Sequence, residues 1–506
     1  MSTAPADVCL VLEGTYPFVA GGVSSWVHDL IRAQSDLSFH LLTLMPDAKP
    51  RQHRYEVPKN VCGLTVVGLQ DMPRGRSRVP GRRNLLRDLE PALIRLQAGG
   101  GLADLAELVG HLGSYRPGDI GRHILLDSDA AWNLLSHMYE KAMPSASFID
   151  YFWSWRAQLG GLLATLICPL PPCRLYHAVS TGYAGLYAAR ARLITGRPAI
   201  LTEHGIYTNE RRIEIAMADW LSDASAAGLA IEKPRRDLRD LWIDTFIGYS
   251  RACYQACERI FTLYGGNQDL QRRDGAPPER LAIVPNGIDY ARYSKVQPDP
   301  AARPPAVALI GRVVPIKDVK TFIRAAAILK DQIPDVKAYV MGPTDEDQEY
   351  FKECEGMVSH LGLSETVIFL GRVALTDHLG KLDAIALTSI SEAQPLVILE
   401  AGAAGVPTVA TDVGACREMI FGRSDEEPQL GPAGAIVSLS NPASTAQALA
   451  RLLMDPAWRA KCSHAIRERV RRYYNKVDID RIYRDIYAEL RAAPDRPAPT
   501  AAEMAA

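Results

Sequence analysis

A chain of 506 residues exceeds what one hydrophobic core accommodates and calls for two or three domains. Its composition, 47% hydrophobic and 23% charged, is that of a soluble globular protein. The formal net charge of −1 leaves no global field to recruit nucleic acid or an acidic membrane, so an anionic ligand has to be held by a local cluster.

The N-terminus has no basic region and only a short apolar run, Val8 to Leu12, too short for a signal peptide. Strand-like runs then alternate with helix-like segments. They are Val8–Leu12, Leu41–Met45, Leu175–Val179, Ala199–Thr202, Arg259–Thr262, Ala306–Ile310, Lys337–Met341, Val367–Leu370, Ala384–Thr388 and Thr408–Ala410. Most are β-branched and nearly continuous in hydrophobicity, as strands covered on both faces of a parallel sheet should be. Glycine follows several at once, as in Leu12-Glu13-Gly14 and Met341-Gly342-Pro343, and ligands gather outside such strand ends. The expected class is α/β with doubly wound sheets.

Residues 71–165 depart from the alternation. They read as helix-rich, open on an arginine run (Arg74, Arg76, Arg78, Arg82 and Arg83) and include the aromatic cluster Tyr151-Phe152-Trp153-Ser154-Trp155. The segment is expected to be an insertion into the first domain. Its arginines read as a solvated face, with docking to a partner or an acidic lipid as the sharper alternative. Leu159 to Leu170 leans apolar but carries two glycines and falls short of the ~20 residues of a membrane span. Cys168 and Cys173 flank a proline-rich turn, and Cys253 and Cys257 sit i,i+4 on an expected helix; neither pair has a four-ligand zinc spacing. The cysteines read as reduced, mostly buried thiols, which fits a cytoplasmic compartment.

A boundary is expected at Val296 to Pro305, where four prolines and no apolar period suggest a linker. Similar α/β halves over 1–296 and 306–476 would leave a cleft between domains, a usual place for a ligand. The spacing of Val477, Ile479, Ile482, Tyr483, Ile486, Tyr487 and Leu490 predicts a closing amphipathic helix over 477–491. The Ala/Pro-rich 492–506 reads as a disordered tail.

The strongest chemical signal runs from Ser391 to Glu418. Glu392 follows a strand, Pro395 stands where the first turn of a helix tolerates proline, and Glu400 falls one to two turns inside. The helix start over 394–397, Gln394, Pro395, Leu396 and Val397, is expected to meet a phosphate through its free amides. One carboxylate near a sugar and one near a ribose, with phosphate between, make a coherent nucleotide-sugar site. By spacing alone, a capped helix with one buried, paired glutamate fits as well. The second signal is Gly311-Arg312-Val313-Val314-Pro315-Ile316-Lys317 after the Ala306–Ile310 strand, whose two cations suit a diphosphate. Surface Arg and Lys are usually only solvated, but the strand-end position favours a role. Gly21-Gly22 follows the first strand, with Ser24 as the expected helix cap; the glycines suit close ligand approach or a simple turn. His204, in Thr202-Glu203-His204-Gly205, ends another strand and is either a hydroxyl donor or a structural histidine. Asn286-Gly287-Ile288-Asp289 reads as a tight turn ahead of the linker.

Together these motifs resemble GT-B glycosyltransferases of family 4. That family carries a first-domain glycine loop, a strand-end histidine, Asn-Gly-Ile/Val-Asp, Gly-Arg-…-Lys and Glu-x7-Glu; all five occur here in that order between residues 21 and 418. The Glu13–Pro17 opening, the arginine-led insertion and Thr202-Glu-His-Gly-Ile-Tyr207 resemble its branch serving bacterial Pel exopolysaccharide synthesis. The resemblance implies a GT-B fold: two doubly wound Rossmann-like domains, an interdomain cleft, and a closing helix that crosses back onto the first domain. It implies retaining transfer from a UDP-sugar to a growing polysaccharide acceptor, with the departing phosphate as base and neither a metal nor a further cofactor. Glu392 would contact donor-sugar hydroxyls, Glu400 the ribose, Arg312 and Lys317 the diphosphate. Gly22, with Gly21, would face the phosphate, His204 would sit over the reacting centre, and Val373 would line the donor site. Where many members have an aromatic two residues after the first glutamate this chain has Gln394, which leaves donor identity open. The implied partners are inner-membrane polysaccharide synthase and export subunits, reached from the cytoplasm, and no nucleic acid.

Three other readings differ in kind. A GT-A transferase would use Asp127-Ser128-Asp129 or Asp345-Glu346-Asp347 as a metal motif, though neither follows a convincing strand. A GT-B sugar-nucleotide epimerase shares the scaffold, and a catalytically silent scaffold of a membrane synthase has no need of a diphosphate clamp.

Overall fold

The computed structural model describes residues 4–77, 79, 82–216 and 237–492, apart from the side chains of 82, 83 and 213–216. Arg78, the side chains of Arg82 and Arg83, and the expected disordered tail past Ala492 lie outside the described residues. Chain contacts divide the molecule into two compact units. One comprises Met1–Thr262, Asn267–Ala282 and Tyr483–Ala506, the other Leu263–Gly266 and Ile283–Ile482.

The first unit is built on β1 (Val8–Glu13), β2 (Phe39–Met45), β3 (Val61–Gly68), β4 (Tyr176–Ala178), β5 (Ala199–Glu203), β6 (Arg259–Thr262) and β7 (Leu281–Ile283). Their order is β3-β2-β1-β4-β5-β6-β7, and β3 through β6 pair in parallel. Val8 to Leu12 are wholly buried, as their continuous hydrophobicity requires of a strand covered on both faces. The edge strand β3 carries no strand signal in the sequence. Its solvent side bears Cys62, Leu64 and Val66, where period-2 alternation calls for polar residues. β7, of three residues, is too short to give a signal.

Between β3 and β4 run helices Arg82–Gln97, Leu102–Gly113, Arg122–Leu125, Asp129–Ala142 and Phe148–Ile167. They are built into the unit's own core: Leu89, Leu93, Leu105, Leu134, Trp155 and Leu159 share one apolar cluster with Cys9 and Val11 of β1. The acidic triplet at 127–129 is spent on this packing. Asp127 pairs with Arg122 and Arg156, Ser128 caps the Asp129–Ala142 helix, and Asp129 occupies its first turn. The final helix, Lys476–Ala492, contributes Tyr483 and Tyr487, both wholly buried, to the same unit. The Tyr487 hydroxyl bonds His177 Nδ1 at 2.7 Å, and the Tyr483 hydroxyl bonds that of Thr202 at 3.1 Å.

The second unit holds β8 (Ala306–Ile310), β9 (Lys337–Met341), β10 (Val367–Gly371), β11 (Ala384–Leu387), β12 (Thr408–Thr411) and β13 (Gly434–Val437). They form a parallel sheet in the order β10-β9-β8-β11-β12-β13. The proline-rich segment 296–305 lies within this unit, which already begins at Ile283. Ile288 N–H donates to Tyr474 O and Lys476 N–H to Ile288 O, each at 2.9 Å, so the Asn286–Asp289 turn is clipped to the unit's far end. A Cβ on Gly287 would stand 2.7 Å from Lys476 Cα, so only glycine fits. The prolines thus mark irregular backbone on a domain surface, where Arg303 pairs with Asp383 at 2.8 Å. Deeper in the unit, Arg469 and Glu426 form a buried bidentate ion pair with contacts of 2.6 and 2.8 Å. No helix among the described residues is long and apolar enough to cross a membrane.

Candidate functional site

Strand order alone singles out one place in each unit. In the second sheet, β9 and β10 lie on one side of β8 while β11 to β13 lie on the other, so the chain winds in opposite directions from the β8/β11 pair. Loops leaving such a switch point diverge and open a crevice outside the carboxyl ends of the strands. The loop after β8 carries Arg312 and Lys317, and the loop after β11 carries Glu392.

Three bonds stitch these loops together. Thr388 Oγ1 donates to Lys317 O at 2.9 Å, Ile390 N–H donates to Ile316 O at 2.9 Å, and Lys317 Nζ meets Glu392 Oε1 at 2.5 Å. Asp318, next to Lys317, holds the left-handed conformation at φ 45 while capping the Val319–Gln332 helix. That conformation is costly for a non-glycine residue and persists because the cap and Thr388, which also donates to Asp318 O, over-determine it. Gly414 does the same for Glu392 from the other side. Its φ is +51, and a Cβ there would lie 2.1 Å from Glu392 O.

The helix following Glu392 runs Leu396–Ala403 with Pro395 at its N-cap, one position ahead of the expected first turn. Leu396 is exposed, Val397 is partly buried, and the N-terminal amides have no capping side chain. Gln394 is turned inward: Asn286 N–H donates to its Oε1 at 2.8 Å and its Nε2 donates to Asn286 O at 3.2 Å. The side chain therefore fixes the Asn-Gly turn, and only its backbone is left to a ligand. Glu400 accepts from the Tyr293 hydroxyl at 3.0 Å; burial raises its pKa, while Tyr293 and nearby Arg292 pull it down. Tyr293 is a site residue with no sequence signal of its own, since it lies 107 positions away in the chain. Tyr293→Phe removes one hydrogen bond to a charged group and is expected to destabilise the second unit by about 1.5–3 kcal/mol, measured by urea unfolding.

Arg312 stands apart from this cluster. Its guanidinium is half exposed and pairs with Glu346, while Asp347 caps the Gln348–His360 helix. Asp345, the remaining member of the second acidic triplet, lies 4.0 Å from Arg372. Val373, past β10, packs partly buried against the unit's apolar cluster.

The first sheet has its switch point between β1 and β4. Gly22 begins the helix Gly22–Ala33 and Gly21 is its N-cap, without any side-chain cap bond. Ser24 is therefore not the cap; it lies inside the first turn and is buried. A glycine cap leaves the helix N-terminus open where a side-chain cap would close it. His204, at the end of β5, is buried edge-on to Trp26 with ring centroids 4.6 Å apart. Neither ring nitrogen has a hydrogen-bond partner among the described residues.

Burial holds His204 down to about 4 and His177 down to about 3, below the ordinary 6.5. Unfolding takes up protons on both rings as the pH drops below 6.5, so the stability carried by the neutral rings, complete above 6.5, is lost on acidification. Glu203 opposes them. Burial raises it to about 7 against four donors, Thr181, Tyr207, Tyr254 and Gln271, so its contribution is complete below 4.5 and lost as the pH rises through 7. Glu203→Gln removes this opposing contribution, so between pH 6.5 and 4.5 the melting temperature of the variant is expected to fall more steeply on acidification than that of the unsubstituted protein; parallel profiles would contradict the assignment.

Residues 6–279 match the family described as "Domain of unknown function (DUF3492)", a match that takes in more than half of the chain. The chain belongs to the DUF3492 family. Residues 294–469 of this DUF3492 protein match a second family, "Glycosyl transferases group 1", and that match contains Arg312, Lys317, Glu392 and Glu400. The D-inositol 3-phosphate glycosyltransferase of Kineococcus radiotolerans is 31% identical over 214 residues, 38% of this chain and 49% of that protein. The protein of the same name from Salinispora tropica is 31% identical over 227 residues, 40% and 45% of the two chains. The DUF3492 protein thus spans about half the length of the curated relatives it matches. Among solved structures, sucrose-phosphate synthase from Thermosynechococcus elongatus covers 96% of this chain and 100% of its own, with a TM-score of 0.55 at 17% identity. Anabaena HepE, solved with UDP and glucose, gives 0.54 at 16% identity over 96% and 99%. These likenesses identify the fold as GT-B, with two parallel-sheet Rossmann-like domains.

Proposed function

We propose that this DUF3492 protein is a retaining, metal-independent glycosyltransferase of family 4. It transfers a hexose or N-acetylhexosamine from UDP to a growing exopolysaccharide of the Pel type. The observation that carries the reading is the stitched pair of switch-point loops, which sets Lys317 against Glu392 at 2.5 Å above an uncapped helix N-terminus, with Glu400 in that same helix. The cation and the helix amides complement a diphosphate, and the two carboxylates complement hydroxyls on either side of it.

In the resting protein Lys317 and Glu392 neutralise each other. Donor binding exchanges that ion pair for Lys317 on phosphate and Glu392 on the sugar hydroxyls. Arg312 joins by leaving Glu346, which costs little because an exposed ion pair is worth about 0–1 kcal/mol. As the glycosidic bond breaks, charge grows on the diphosphate and these groups stabilise it; the departing phosphate takes the proton of the attacking hydroxyl on the same face.

Support for the donor comes from HepE, solved with UDP and glucose, and support for the pathway from the likeness of Glu13–Pro17 and Thr202–Tyr207 to PelF. On this reading the chain works at the cytoplasmic face of the inner membrane through synthase and export subunits, and UDP-sugar is its substrate, with no further cofactor. The test is UDP release from a panel of UDP-sugars with and without glycan acceptor. Acceptor-dependent release from at least one is expected, and none from any would sink the reading.

A further inference from the structure

Among the described residues, two other than glycine hold a positive φ, Asp318 at 45 and Ser440 at 49. They touch: Ser440 Oγ, past the end of β13, donates to Asp318 Oδ2 at 3.1 Å. Left-handed backbone is costly for such residues, survives only where the surroundings over-determine it, and gathers at active sites. Helix capping does not call for it here. Ser128, Asp237, Asp347 and Asn441 cap their helices through side-chain bonds at φ −94, −110, −136 and −115. Asp318 caps the Val319–Gln332 helix through the same kind of bond, to Thr321 N–H at 3.2 Å, and yet is held left-handed.

The turn places the residue before it. Val319, Phe322 and Ile323 are wholly buried, so the start of that helix is anchored in the core. A change of φ at Asp318 is therefore taken up upstream, by Lys317. The hydroxyl of Thr388, one residue past β11 and 1% exposed, donates to Lys317 O and to Asp318 O at 2.9 Å each. A hydroxyl has a single hydrogen to give, and here two carbonyls share it, so Thr388 keeps none for a ligand. Its bonds end on the backbone of the lysine whose Nζ meets Glu392 Oε1 at 2.5 Å.

Resting on the transferase reading above, we propose that Thr388 is a positioning residue of the transfer reaction. Its hydroxyl locks the Lys317–Asp318 turn in the left-handed form, Ser440 holds the Asp318 carboxylate, and the lysine is aimed at the diphosphate before the donor arrives. Setting the cation in advance spares binding and transfer the ordering of a long, flexible side chain.

The full chain is titrated calorimetrically with UDP as the unsubstituted protein, Thr388→Val, Thr388→Ser, Lys317→Ala and the double variant carrying Thr388→Val and Lys317→Ala. Thr388→Val, isosteric but without a donor, is expected to weaken UDP roughly five- to fiftyfold, and Thr388→Ser, which keeps the hydroxyl, by no more than about twofold. In the Lys317→Ala background Thr388→Val should change affinity by less than about twofold, because residues that act through one another are not additive. An effect of equal size in both backgrounds overturns the proposal, since a merely structural role adds. So does a Thr388→Val protein that binds UDP normally, or a Thr388→Ser protein as weak as it. Asp318→Gly, which lets the turn take either hand, serves if Thr388→Val does not fold. It is expected to weaken UDP at least about threefold, and only while Lys317 is present; an equal effect without Lys317 overturns the proposal.

Crystal structures without nucleotide read the placement directly. The Lys317–Glu392 pair should open beyond about 4 Å in Thr388→Val and stay closed in Thr388→Ser. A pair that stays closed in Thr388→Val, or in Asp318→Gly should the former not fold, overturns the proposal. Lys317→Ala that binds UDP unchanged, or UDP that does not bind at all, speaks against the transferase reading, and these structures then decide the positioning by themselves.

Discussion

Replacing Lys317 with alanine is expected to lower turnover roughly 100- to 1,000-fold, the usual cost of deleting one preorganised group aimed at developing charge. The substitution removes the cation that, among the described residues, the switch-point loops hold in place. Thr388 fixes the lysine backbone at 2.9 Å, and the side chain extends to Glu392 at 2.5 Å. The fold survives, because the loop stitch through Thr388 and Ile390 is made by backbone carbonyls that the substitution leaves in place. Arg312→Ala should cost less. That guanidinium is half exposed and already satisfied by Glu346, so it enters the site only with the donor. Steady-state UDP release, beside far-ultraviolet circular dichroism, measures both. A Lys317→Ala protein that is folded and turns over normally would remove Lys317 from the mechanism, whereas one that is unfolded would show that the ion pair is structural.

Arg469→Leu is expected to destabilise the second unit by about 3–5 kcal/mol, the cost of leaving a buried charge without its partner. The guanidinium is 1% exposed and Glu426 2% exposed. Besides both Glu426 oxygens, Arg469 donates to Ile420 O at 2.9 Å and to Gly431 O at 2.8 Å. Leucine fills the volume but satisfies none of these acceptors, and Glu426 then has to protonate or draw in water. Arg469→Leu combined with Glu426→Leu should recover part of the loss, since it removes the orphaned charge as well. Urea unfolding followed on both variants checks this. A double variant no more stable than the single one would show that the carbonyl contacts, rather than the ion pair, carry the energy.

The sheets were largely legible in the sequence because buried parallel strands are continuous apolar runs, and Val8–Leu12 or Ala306–Ile310 cannot be read otherwise. β3 was not legible, since an edge strand with Leu64 and Val66 on its outer side breaks the alternation that would announce it. Prolines misled in another way. Those of 296–305 lie on the surface of the second unit, because what joins Ile288 to Asn475 is a bridge between residues far apart in the chain, invisible to any local window. Ser24 illustrates the same limit at a helix end. A serine near a helix start reads as a cap, but the backbone was already helical from Gly22.

At the candidate site, residue type and spacing by themselves determined that Glu392, Arg312 and Lys317 stand just past strand ends, where ligands gather, and that Glu400 follows inside the next helix. That followed from local pattern, since each stands a fixed few residues beyond an apolar run. Which of them meet was decided only by the tertiary structure. The β8/β11 adjacency brings Lys317 to Glu392 across 75 residues of chain, leaves Arg312 with Glu346, turns Gln394 inward to Asn286 and supplies Tyr293 to Glu400.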